Sequence, residues 1–322
     1  MSKPVLIIDG LNCFYRHFVA NPSMGENGNP VGGIVGFLKG IQLLSERYSP
    51  ESVVVVWEGG GSPRRRSIDP SYKAGRRPEK LNRFYSGDLP NTVSNRNEQI
   101  AQLVDLLRKA SVPQVYVSDC EADDAIARLV NVVFSDKRCI IISTDKDFYQ
   151  LINDRVFVWS PGSKREWTTT KVIDEFNIHP ENFCLARCFV GDGSDGLKGV
   201  PGAGFRSLAK RFGELKEPES LAVDDILTKC RKLRKQKSLK LYDSIINHEA
   251  TIRRNWKLMY LGHGNLSGTQ AQKIDGILEL QSTKRDKLGF IRSLMKLGIR
   301  NFDYDKLFMT LRTLGRGNNG RC

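Results

Sequence analysis

The chain has 322 residues, enough for one large core or two modest domains, with 50 Lys and Arg against 36 Asp and Glu. A net charge of +14 excludes a neutral surface and implies a polyanionic partner: DNA, RNA or an anionic membrane. The membrane is disfavoured, because apolar runs such as Val53–Trp57 are only strand-length and Asp9 interrupts the first one before a signal segment can form.

Short β-branched runs predict strands at Val5–Ile8, Val53–Trp57, Val115–Ser118, Ile140–Ser143 and Val156–Trp159. Helical periodicity fills the gaps at Gly33–Arg47, Asn97–Lys109 and Asp123–Phe134. Strands alternating with helices give an α/β class with a mostly parallel sheet, covered on both faces. This core is assigned to residues 1–180, and 181–322 reads as a helical region with a basic block at Lys229–Lys240. The seven cysteines are scattered, in a chain that reads as cytoplasmic. Cys13, Cys120 and Cys139 border apolar segments and are expected reduced and buried. Cys184 and Cys188 lie one helical turn apart, but without a CxxC pair they do not make a zinc site.

Five apolar runs end in carboxylates: Asp9, Glu58, the group Glu121, Asp123 and Asp124, the pair Asp145 and Asp147, and the pair Asp192 and Asp195. None has an obvious positive neighbour in sequence. Ligands of parallel α/β sheets bind outside the carboxyl ends of the strands, so four distant segments deliver acids to one sheet edge. Two such charges about 5 Å apart repel by roughly 3 kcal/mol at an effective dielectric near 20. The cluster therefore calls for cations, and oxygen-only donors suit Mg2+ or Mn2+. Any single acid could instead cap a helix.

The segment Ser62–Arg77 carries Arg64, Arg65, Arg66, Lys73, Arg76 and Arg77, with Tyr72 interleaved, against the single acid Asp69. Such cations neutralise phosphates and a tyrosine can stack on a base, although most charge runs are solvated faces. Gly199–Gly213 begins as a glycine-rich hairpin whose backbone N–H groups, at Gly202 and Gly204 among others, can hold a phosphate ahead of a helix presenting Arg206 and Lys210.

With IIDGLNCFYR, VVWEGGGSPRRRSIDPSYKAGR, CEADDAIA, STDKDFYQL and VGDGSDGLKGVPGAGFRSLAKRFG in this order, the chain resembles the structure-specific 5′ nucleases, flap endonucleases and 5′–3′ exonucleases of phages and of bacterial DNA polymerase I. The motifs span residues 5–213. The resemblance implies a PIN-like core, a helical arch around 70–100 and a helix–three-turn–helix around 188–213 that grips duplex DNA and holds K+. It also implies two Mg2+ or Mn2+ ions held by the nine acids, Asp9, Glu58, Glu121 and Asp123 at the first and the other five at the second. Lys73 and Arg76 match arch cations acting on the scissile phosphate. Arg16 matches a basic residue near the 5′ end, with Tyr15 or Tyr72 as a base-stacking ring and Arg65 and Arg77 as further DNA contacts. Glu58 stands where the family usually has aspartate.

The expected activity is a metal-dependent 5′ nuclease on 5′ flaps, nicks and RNA–DNA hybrid ends, monomeric, in the cytoplasm of a bacterial or phage-infected cell, with replication proteins as partners. The alternatives are a PIN-type ribonuclease, which would lack the arch and hairpin motifs, and a non-catalytic DNA-binding relative, which would have lost carboxylates.

Overall fold

The β-branched runs pair into one six-stranded sheet in the computed structural model, which describes residues 2–75, 92–236, 239–277 and 284–312. Its strands are β1 (Val5–Asp9), β2 (Ser52–Trp57), β3 (Gln114–Tyr116), β4 (Cys139–Ile142), β5 (Val156–Ser160) and β6 (Arg165–Trp167). Their order is β3-β2-β1-β4-β5-β6, parallel except for β6. The chain thus builds outward from β1 to β3, then returns to lay β4 on the other side of β1. That reversal is the switch point at which ligands of such sheets bind.

The central strands are apolar at every position because both faces are covered. Val5 and Ile7 of β1 point into one hydrophobic cluster, Leu6 and Ile8 into the other. The second face is closed by α1 (Gly10–Ala20), α2 (Gly32–Tyr48) and α4 (Thr92–Lys109), which follows the short α3 (Pro63–Ile68). The first face is closed by α5 (Ala122–Arg128), α6 (Thr169–Phe176), α7 (Phe183–Val190), α8 (Phe205–Arg211), α9 (Val223–Gln236), α10 (Lys240–Asn247), α11 (Glu249–Met259) and α12 (Gly268–Ile277). The last described helices, α13 (Lys287–Lys296) and α14 (Tyr304–Arg312), return to the opposite face, where Phe290, Leu294, Phe308 and Leu311 join Phe14, Ile34 and Leu103. Residues on both sides of position 180 therefore share each cluster.

Several elements differ from the sequence expectation. The helix expected to reach Phe134 is regular only to Arg128 and then opens into one π turn, Leu129–Val133, closed by Phe134 N donating to Leu129 O at 2.8 Å. Three of its five residues are valines, whose branched side chains crowd a regular helix. The hairpin partner β6 and helix α6 were not expected; α6 starts where Thr168 Oγ1 accepts from Lys171 N at 3.3 Å. No described helix is long and apolar enough to cross a membrane.

Candidate active site

Asp9 ends β1 and caps α1, accepting from Asn12 N at 3.3 Å. Its other oxygen accepts from Ser143 Oγ, just past β4, at 2.9 Å. Asn12 Oδ1 in turn accepts from Thr144 N and Oγ1, both at 3.0 Å, so the loops after β1 and β4 are fastened across the switch point. Asp145 begins the next turn, accepting from Asp147 N at 2.9 Å. Glu58 follows β2 and accepts from Gly61 N and, at 3.3 Å, from Ala122 N at the start of α5. Glu121 and Asp123 open α5 itself. These four strand ends line a cleft of about 1510 Å³, with Tyr15, Arg16, Arg66, Lys73 and Arg96 on its other walls.

The acids strain against one another there. Burial, with the Asp145 charge adding to it, pushes the Asp9 carboxyl up to about 6. Burial and the neighbouring Asp147 do the same to Asp145, also to about 6. Asp123 is raised well above the usual carboxylate range, by burial and then by Asp145, Asp9 and Glu121, and Glu58 is raised by burial and Glu121. Lys73 lies among them, its ammonium 2.8 Å from Glu121 and 4.0 Å from Asp195. Burial opposes that charge, but Asp123 and Glu121 outweigh it and hold the lysine above its ordinary pKa. The backbone fixes it as well: Lys73 sits at φ 59°, donating from N to Asp195 O at 3.1 Å.

Not all nine acids face the cleft unpaired, because Arg65, Lys73 and Arg187 reach five of them. Arg65 is 1 % exposed and forks onto Asp124, Nη1 to Oδ2 at 2.5 Å and Nη2 to Oδ1 at 2.8 Å. Asn265 Nδ2 also donates to Asp124 Oδ1, at 2.8 Å, so both oxygens are occupied. Arg187 takes Asp147 Oδ1 at 2.9 Å and Asp192 Oδ2 at 2.5 Å. The other Asp192 oxygen accepts from Ser194 N and Oγ. Burial alone would raise Asp192, yet Ser194 and Arg187 hold it below the usual carboxylate range. Both oxygens of Asp124 and of Asp192 are thus taken by protein partners, whereas Arg187 holds only one oxygen of Asp147.

Arg65, expected on DNA, is an interior ion-pair partner instead. Tyr72 is 8 % exposed, its hydroxyl 3.2 Å from Glu121 Oε2, and it too lines the cleft. Arg16 and Tyr15 do line the cleft. Arg76 and Arg77, and most of the expected arch, lie outside the described residues.

Arg187, Ser143, Asn12 and Asn265 escaped the sequence reading. Only Arg187 left a signal, as the one charge in the apolar helix FCLARCFV. A buried charge in such a helix demands partners.

The residues fit a hard divalent ion by chemistry, being oxygen donors whose charges are raised in energy by burial and mutual repulsion. Among the described residues, no three acidic, histidine or cysteine side chains stand close enough to enclose an ion as they are. Lys73 occupies the ground between them.

The hairpin lies beyond Asp192. Gly202 sits at φ 83°, and a Cβ on Gly199 would fall 2.0 Å from Val190 O, so glycine is required at both positions. The N–H groups of Val200, Ala203 and Gly204 are used internally, on Phe189 O, Val200 O and Ser207 Oγ. This corrects Gly204 as a phosphate donor. Arg206 and Lys210 project from α8 into solvent.

A family model described as the 5'-3' exonuclease, N-terminal resolvase-like domain, matches residues 4–177, more than half of the chain. The chain belongs to this 5′–3′ exonuclease family. A family relative, the 5'-3' exonuclease of Buchnera aphidicola subsp. Schizaphis graminum, is 29% identical over 221 residues, covering 67% of this chain and 72% of its own length. The thermostable DNA polymerase I of Thermus thermophilus is 31% identical over 222 residues, 67% of this chain but 25% of the polymerase. The flap endonuclease of bacteriophage T5, solved with DNA and metal ions, shares the fold with a TM-score of 0.65 at 21% identity, over 92% of this chain and all of its own.

Proposed function

We propose that this member of the 5′–3′ exonuclease family is a two-metal 5′ nuclease that hydrolyses phosphodiester bonds in 5′-ended or branched DNA. Its substrates are flaps, nicks and the RNA–DNA hybrid ends of primers. The observation that carries the reading is the convergence of Asp9, Asp123 and Asp145 on one cleft, where burial and mutual repulsion raise all three carboxyls. Asp9, Glu58, Glu121 and Asp123 would hold one Mg2+ or Mn2+. Asp145, with Asp147 and Asp195 directly or through water, would hold the second. Ions bound there supply Lewis-acid stabilisation of a phosphoryl oxygen and lower the pKa of an attacking water.

The chain's own cations do the rest. Lys73 exchanges its contact with Glu121 for a non-bridging oxygen of the scissile phosphate, where its charge opposes that developing in the transition state. Arg16, Arg66 and Arg96 face the same cleft and take flanking phosphates. Arg76 and Arg77 belong to the same proposal as arch cations. The Gly199–Gly213 hairpin, with Arg206, Lys210 and a K+ ion, holds the duplex arm. The enzyme acts as a monomer in the cytoplasm, beside replication proteins.

The test is a cleavage panel in Mg2+ comparing a 5′ flap, a nicked duplex, an RNA-primed duplex and single-stranded RNA. Cleavage of the first three and not the last is expected. Preference for single-stranded RNA would overturn the reading in favour of a ribonuclease.

A further inference from the structure

We infer that Arg65 is a positioning residue, through which the helices after residue 249 set the stance of the α5 acids and of Lys73; the inference rests on the two-metal reading above. Arg65 has the largest fully buried side chain among the described residues, and its donors are divided among three places. Its fork holds Asp124 on α5. Its Nε donates to Leu258 O near the end of α11 at 2.7 Å. Nη1 also stands 3.1 Å from Glu121 Oε2, the same oxygen that meets Lys73 Nζ at 2.8 Å. Glu121 therefore has a permanent cation behind it and an exchangeable one in front.

The region around α11 is fastened to the site at further points. Asn265 Nδ2 bridges Asp124 Oδ1 and Tyr260 O, at 2.8 and 2.6 Å. Arg254 pairs with Asp69 at 3.3 Å, in the loop that carries Lys73. Gln150 Nε2 donates to Met259 O at 3.1 Å and its Oε1 accepts from Leu261 N at 3.0 Å, which anchors the turn following Asp145.

A buried ion pair is weak evidence for stability, since apolar residues of similar volume often replace one without loss. What Arg65 and Asp124 provide is orientation. When Lys73 leaves Glu121 for a phosphate, Arg65 keeps that carboxylate in place. A lysine at 65 would keep the charge and lose the fork.

The test pairs Arg65→Met with Asp124→Leu, which removes both charges together, and measures Mn2+ binding to DNA-free protein by the resonance signal of free Mn2+. Wild-type binding of Mn2+ checks the two-metal reading independently. The double variant is expected to keep a melting temperature within a few degrees of wild type. It should bind Mn2+ about tenfold or more weakly and lose tenfold or more in single-turnover rate at saturating Mn2+, with DNA affinity within threefold. Wild-type Mn2+ affinity and rate in a folded double variant would overturn the inference and leave a structural role only. Asn265→Ala, which removes one hydrogen bond from Asp124, decides the matter should the double variant not fold: about threefold weaker Mn2+ binding is expected, and unchanged binding would overturn it.

Discussion

The ammonium of Lys73 lies 2.8 Å from Glu121 Oε2, inside a cleft whose other acids are buried and raised. A lysine there acts as the internal counter-ion of the acidic cluster, and a phosphate entering the cleft competes for it. Lys73→Ala should therefore lower single-turnover cleavage of a flap by about 100-fold or more, on the scale of losing a transition-state charge contact. DNA affinity should fall only a few-fold, with the slope of log affinity against log salt flattening by about 0.9. Normal cleavage with weakened binding would reduce Lys73 to a DNA-collecting residue.

His17 gives a pH signature separate from the acids. Burial, aided by the Arg16 charge, pushes its imidazole down to about 4, and it packs against Gly36, where an added Cβ would fall 2.4 Å from its ring. The unfolded chain titrates near 6.5 and so binds more protons than the fold between pH 4 and 6.5. Stability from this group is complete above about 6.5 and is lost as pH falls toward 4, by about 2–3 kcal/mol. The raised carboxyls of Asp9 and Asp145 slope the other way, since there the fold binds the extra proton between about 4 and 6. Urea titrations of wild type and His17→Asn from pH 4.5 to 7.5 separate the two. The difference in unfolding free energy should shift in the variant's favour at low pH, and a constant difference would contradict the assignment.

Arg187 compensates two carboxylates at once. Arg187→Met leaves Asp147 and Asp192 facing each other without their cation, and removing one partner of a buried pair costs about 3–5 kcal/mol. A chemical-denaturation midpoint that does not move would show that solvent already screens this group.

The hairpin separates duplex grip from chemistry. Gly202 sits at φ 83°, and proline requires about −65°, so Gly202→Pro cannot keep the turn. Affinity for flap and nicked duplexes should drop tenfold or more, while turnover of a short single-stranded oligonucleotide stays within twofold. Equal losses on both, with unchanged circular dichroism, would deny the hairpin a role in holding duplex.

The strands were legible because β-branched runs of strand length have few other uses, and the acids were legible because each follows such a run. The rule that ligands gather at carboxyl ends of parallel strands placed Asp9, Glu58, Asp123 and Asp145 on one edge before any coordinates. Ion pairing was not legible. Arg65 reaches Asp124 across 59 residues and Arg187 reaches Asp147 across 40, distances at which sequence carries no register. A run of three arginines looked uniformly exposed, yet α3 turns Arg65 inward while Arg64 and Arg66 stay in solvent. The edge hairpin with β6 was missed because three residues hold too little pattern to read.

Metal dependence is the central claim, and Asp145→Asn tests it most directly. Its carboxyl is raised to about 6 by burial and Asp147, so at pH 7.5 the charged form strains the cleft when EDTA keeps metal away. Flap cleavage and thermal unfolding should be measured together at that pH, in EDTA and in Mg2+. In EDTA the wild type should cut nothing and the variant should melt a few degrees higher, because a repelled charge has gone. In Mg2+ the wild type should cleave and gain stability, whereas the variant should lose nearly all turnover and gain less. Cleavage by the wild type in EDTA, or full turnover by Asp145→Asn in Mg2+, would contradict the two-metal account.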